Sequence, residues 1–205
     1  MINDLYIKAA APSAAAPVGA TLMKTGQTTS YRTGDDGDIE AGRATSFTVL
    51  ASNNPFGNTN RFTDELGGQT YTKNIVIDWS TYNGSNVLGY KRTLRAVGIN
   101  WNNAIDESIA LSFGGFTTGW RMCNIKEYQN LYNYGVNYNS PLNYSPINIQ
   151  NNNLFLWTAN TLNGQTTDAY YLGNNGTQSF IVKTFAINIT YISCRTFTVT
   201  GTTLT

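Results

Sequence analysis

Tyr132, Tyr134, Tyr138 and Tyr144 are interleaved with Asn139, Asn151, Asn152 and Asn153 in a stretch, residues 132–165, that carries almost no charge. Each tyrosine offers a flat apolar face with a hydroxyl at its rim, and each asparagine amide both donates and accepts hydrogen bonds. That chemistry suits a sugar. It also suits a protein surface, because Tyr, Asn, Ser and Gly are what adaptable binding loops use at low entropic cost. The third reading is a solvated loop whose tyrosines lean on the core. Asp35, Asp36 and Asp38, with Glu40, crowd carboxylates into a Gly-bounded loop, an oxygen set that suits a calcium ion. The spacing is not that of an EF-hand, and a solvated acidic turn is the alternative. Cys123 and Cys194 are the only cysteines. Neither lies in a Cys-x-x-Cys motif, and Arg121 and Arg195 are the only cations beside them, so two buried free thiols are the default expectation. There is no histidine, which excludes Ser-His-Asp, Cys-His and His-metal chemistry. No pair of acids is spaced for acid–base work, and no enzymatic activity is expected.

The elements that must position these groups begin at residues 115–128. Gly114, Gly115 and Gly119 mark a turn, Trp120 to Met122 are sized for a core strand, and Asn124 can cap a helix. Glu127 stands three residues after Asn124, at capping-box spacing, with Cys123 and Tyr128 at the staple positions. Ile125, Tyr128, Leu131 and Tyr132 then fall on one helical face, and Gly135 is placed to end the helix. An earlier helix is expected after Asn100, with Trp101, Ala104, Ile105, Ser108 and Ile109 on its apolar face. Strands are expected at residues 47–50, 75–77, 94–99, 154–157, 168–172, 179–187 and 189–197, with a loop at 53–58 and a turn at 173–176.

The 205 residues suit one domain burying about 70% of its unfolded surface. Charged residues make up 12% of the chain and the net charge is +1, against about 25% charged residues in a typical protein. With no basic stripe, neither nucleic-acid binding nor electrostatic membrane binding is expected. Residues 1–22, rich in Ala and broken by Pro12 and Pro17, read as a tether in which Leu5, Tyr6 and Ile7 would anchor to a partner. Asp4 comes early and Lys8 late, so a secretory signal is not expected; nor is membrane insertion. The domain proper is expected at residues 23–205.

Residues 115–128 also closely resemble the "GYTDWRLPNIKEL" signature of the Lcl C-terminal-type domain, a C-type-lectin-like module related to the formylglycine-generating enzyme fold. Four further stretches resemble that family in the same order: residues 24–38, residues 61–74, residues 156–159 with 168–171, and residues 191–195. The chain departs from the family at Met122-Cys123, where Leu-Pro is usual. The resemblance implies an α+β, C-type-lectin-like fold with two helices, a mixed or antiparallel sheet and long irregular loops. It implies adhesion to a glycan or host-surface receptor, and a Cys123–Cys194 disulfide as an alternative to free thiols. The related oxidase uses a cysteine pair and a metal, but here the cysteines occupy other motif positions.

The neutral body, the anchor-like start and the lack of a signal point to a bacteriophage virion protein, a fibre or decoration docked to a shell or tail protein through its N-terminal segment. A homo-oligomer is expected, with a trimer favoured. A secreted bacterial surface adhesin, extracellular or on the cell surface, and a purely structural virion cap are the alternatives.

Overall fold

Ile75-Val76-Ile77-Asp78 is β-branched at three successive positions and buried at all four, which suits a strand covered on both faces. The computed structural model describes residue 33 and residues 54–58, 60–132, 146–147, 154–163, 166–173 and 176–205. Within them the fold is α+β, with two helices and two sheets. The tether at residues 1–22, the strand expected at 47–50, and Gly135 lie outside the described residues.

The first sheet runs β1 (Phe62–Thr63), β2 (Ile75–Asp78), β3 (Asn86–Lys91), β9 (Ser193–Thr200) and β10 (Thr203–Leu204), with β4 (Arg121–Met122) also pairing to β9. Every pairing in it is antiparallel. The second sheet runs β7 (Gln178–Val182), β6 (Asp168–Gly173), β5 (Phe155–Thr161) and β8 (Ile189–Thr190), and the β5–β8 pair is parallel. Helix α1 spans Trp101–Ile109 and α2 spans Ile125–Leu131.

Both helix starts follow from their caps. The Asn100 side chain accepts from the Asn103 amide, and Asn124 and Glu127 complete a full capping box. One buried cluster joins both sheets through Tyr90, Cys194, Leu156 and Leu172, with Tyr128 and Leu131 of α2 packed into it. A second stacks Trp79, Trp120 and Phe197 on Ile75 and Ile77. The third seats α1 against Trp157, whose indole donates to the Ile99 carbonyl at 2.9 Å.

Five expectations are corrected. The strand expected at 189–197 is two, Ile189–Thr190 in the second sheet and Ser193–Thr200 in the first. Residues 94–99 form no strand: Gly98 sits at φ +97°, its amide donates to Ile189, and Val97 is left half exposed. Helix α2 stops at Leu131, because Tyr132 turns to an extended backbone as its ring buries and its hydroxyl donates to the Gly173 carbonyl. The strand expected at 179–187 ends at Val182, where a turn brings the Phe185 amide to the Val182 carbonyl. Ile109, expected on the apolar face of α1, stands 63% exposed at its last position.

Candidate functional site

A single row crosses the first sheet. Val76 stands opposite Tyr90, Tyr90 opposite Cys194, and Cys194 opposite Arg121, so the four side chains share one face. Cys123 follows Arg121 by two residues and points the same way. Its amide donates to the Ile192 carbonyl and its carbonyl accepts from the Ala159 amide, which pins it between the two sheets. The chain then enters α2, where Glu127 projects from the first turn back over the row.

Glu127 is the centre of this cluster. Its Oε2 accepts from the Asn124 amide and from Arg121 Nη1, both at 2.8 Å, and from Cys194 Sγ at 3.6 Å. Arg121 Nη2 donates to Oε1, making the pair bidentate. Both cysteines are wholly buried free thiols, and their sulfurs and a Glu127 oxygen lie within 4.8 Å of one another.

The electrostatics follow from burial first. Burial alone would raise the Glu127 carboxyl, but Arg121, the Asn124 amide and Cys194 together hold it below the ordinary range. Burial pushes the Cys123 thiol well up, and Cys194 and Glu127 add to this against Arg121. A thiol so placed is a proton-bearing core group and a poor nucleophile. Burial also lifts the Tyr90 hydroxyl well above the ordinary phenol value, with Asp78 and both cysteines reinforcing it. The cluster can hold a soft metal ion once its thiols deprotonate.

The second region is the root of the Tyr/Asn-rich segment. Tyr134, Tyr138, Asn139, Tyr144, Asn151, Asn152 and Asn153 lie outside the described residues, as do Asp35, Asp36 and Asp38. Tyr132, expected among the ligand-binding residues, is only 2% exposed and is a core residue. The described residues of this stretch resume at Pro146 and Ile147, where Arg92 Nε donates to the Pro146 carbonyl at 3.1 Å and Ile147 is buried. Leu154, just before β5, is buried as well. Arg92 is itself stacked on the Tyr71 ring, 4.8 Å from its centroid.

Two polar centres were not anticipated from sequence. Asp64, in the Arg61–Gly68 stretch, accepts from the amides of Leu66, Gly68 and Tyr71 and from the Thr70 hydroxyl. Its signal was local, an aspartate ahead of Gly67-Gly68. The Arg61–Asp78 ion pair spans 17 residues and had no signal in spacing. No helix among the described residues is long and apolar enough to cross a membrane.

No protein-family model matches the chain, and comparison with curated proteins and with solved structures gives no match.

Proposed function

We propose that the protein is a non-enzymatic adhesion module of C-type-lectin-like architecture, carried on a bacteriophage virion as a fibre or decoration and recognising cell-surface or mucus glycans. One observation supports this reading best. Tyr132, Pro146, Ile147 and Leu154, described residues within the Tyr/Asn-rich stretch, are each held to a two-sheet frame by burial or a hydrogen bond, and in this reading the residues between them form the recognition loop. In this reading Tyr134, Tyr138 and Tyr144 supply stacking faces, and Asn139, Asn151, Asn152 and Asn153 supply paired donors and acceptors. Tyr132 serves as an anchor. Homo-oligomerisation, a trimer in this proposal, would multiply weak single-site affinities into avidity.

A glycan and mucin screen on purified protein, run with calcium and with chelator, tests the proposal. Specific binding that falls in a Tyr138→Ala/Tyr144→Ala double variant with an unchanged melting temperature supports it. Loss of wild-type binding with chelator would assign Asp35, Asp36 and Asp38 to a calcium site. A folded wild-type oligomer that binds none of the glycans would leave a structural virion cap in its place.

A further inference from the structure

We propose that Cys123, Cys194 and Glu127 form a binding site for a thiophilic divalent cation of the zinc class. The two sulfurs and a Glu127 oxygen lie within 4.8 Å of one another, Cys194 on β9, Cys123 in the link between β4 and the α2 cap, and Glu127 in the first turn of α2. Such a three-ligand set needs only modest side-chain rotation to close on an ion.

The sheet register favours a metal over a disulfide. Arg121 stands opposite Cys194 and Met122 opposite Ser193, and the Cys123 amide continues the ladder to Ile192. Cys123 is therefore diagonal to Cys194, not opposite it. Diagonal neighbours have Cα atoms about 7–8 Å apart, whereas a disulfide rarely spans more than about 7 Å without backbone movement. Movement is opposed here, because Cys123 is bonded to Ile192 on one side and Ala159 on the other. An ion bonded to both sulfurs at about 2.3 Å holds them about 3.8 Å apart and leaves the backbone where it is.

Charge and valence fit as well. Binding releases the two thiol protons to solvent, leaving two thiolates beside the Glu127 carboxylate. Their three negative charges are matched by the divalent ion and the Arg121 guanidinium already bonded to Glu127. The cluster becomes neutral, which a buried position requires. Glu127 Oε2, 3.6 Å from Cys194 Sγ, loses the bond from that thiol when its proton leaves and then faces the ion instead. Tyr90 gives the independent sign: it faces Cys194 across the β3–β9 pair, is wholly buried, and its hydroxyl has no hydrogen-bond partner among the described residues. An orphaned buried hydroxyl is costly, and an oxygen at the fourth position of a tetrahedral ion would satisfy it.

The test is titration of full-length, chelator-treated protein with Co²⁺ and then Zn²⁺, with the metal content of untreated protein counted by mass spectrometry. One cobalt per chain is expected, with thiolate-to-cobalt charge-transfer absorption that Zn²⁺ abolishes. Cys123→Ser and Cys194→Ser should each remove that absorption. Tyr90→Phe, which deletes only the orphaned hydroxyl, should keep the fold and weaken cobalt binding about tenfold, as loss of an outer partner does. Failure of the folded wild-type protein to take up either ion overturns the site. So does an intact mass lower by two hydrogens with both thiols unreactive after denaturation, the signature of a Cys123–Cys194 disulfide.

Discussion

Arg61 and Asp78 form a bidentate ion pair sealed from solvent, with Nε to Oδ1 at 2.8 Å and Nη2 to Oδ2 at 2.7 Å. Arg61 Nη2 also donates to the Asn130 carbonyl at 2.7 Å. One guanidinium thus ties the entry of β1 to the end of β2 and to the last turn of α2, from which the Tyr/Asn-rich segment departs.

Removing one partner of this pair strands the other. Asp78→Ala is expected to lower stability by about 3–5 kcal/mol, because the guanidinium stays buried without its counter-charge. The double variant Arg61→Met/Asp78→Leu should lose less than Asp78→Ala alone. Urea unfolding of both reads this directly, and a double variant as unstable as the single would show that the pair itself, not its mutual compensation, is what stabilises.

Gly89 is required by a ring. A Cβ there would stand 2.5 Å from Phe197 Cε2 and 2.9 Å from Ile77 Cδ1. Gly89→Ala should therefore cost about 1–3 kcal/mol by overpacking, and adding Phe197→Leu should recover part of it. Denaturant midpoints of the single and double variants decide, and a neutral Gly89→Ala would mean that Phe197 moves freely.

Asp64 should make the fold sensitive to acid. Burial alone would raise its carboxyl, but bonds from Gly68, Thr70, Leu66 and Tyr71 outweigh this and hold it below the ordinary value. A depressed native value means that its contribution is complete above the unfolded value of about 3.9 and is lost as pH falls through the native one. Melting temperature followed downward from pH 6 should drop through that window in the wild-type protein. Asp64→Asn should be less stable at neutral pH and show a shallower drop; an unchanged slope would remove Asp64 from the acid response.

The start of α2 should respond to its cap in a graded way. Asn124→Ala is expected to cost about 1 kcal/mol, and Asn124→Ser close to nothing, since serine caps equally well. Thermal unfolding of the two variants checks the order, and an Asn124→Ala variant as stable as wild type would mean that the Glu127 half of the box suffices.

Much of this local chemistry was legible in the sequence because it is written in short spacing. The Asn124–Glu127 box and the Asn100 cap each join residues three apart, and the β-branched run at residues 75–77 is consecutive. The 94–99 segment misled because Leu94, Val97 and Ile99 look like a strand, while its polar bonds go to β8 one at a time: Gly98 to Ile189, and Thr190 back to the Arg95 carbonyl. The cysteine–glutamate cluster was half visible, with Cys123 and Glu127 one helical turn apart. Cys194 joins them from 67 residues beyond Glu127, and only the sheet register brings it there. No linear spacing encodes such a partner.

Strand β9 lies between β3 on one side and β4 and β10 on the other, so the first sheet closes only through it. On the ribosome, β3 ends at Lys91 and must wait for synthesis to reach Ser193. Through that interval Val87, Leu88 and Tyr90 have no partner on their β9 side, the condition under which nascent chains associate with one another. We therefore expect nascent or interrupted chains ending before Ser193 to depend on chaperones. Insertion of β9 then gives Val87, Leu88 and Tyr90 their partners Phe197, Thr196 and Cys194.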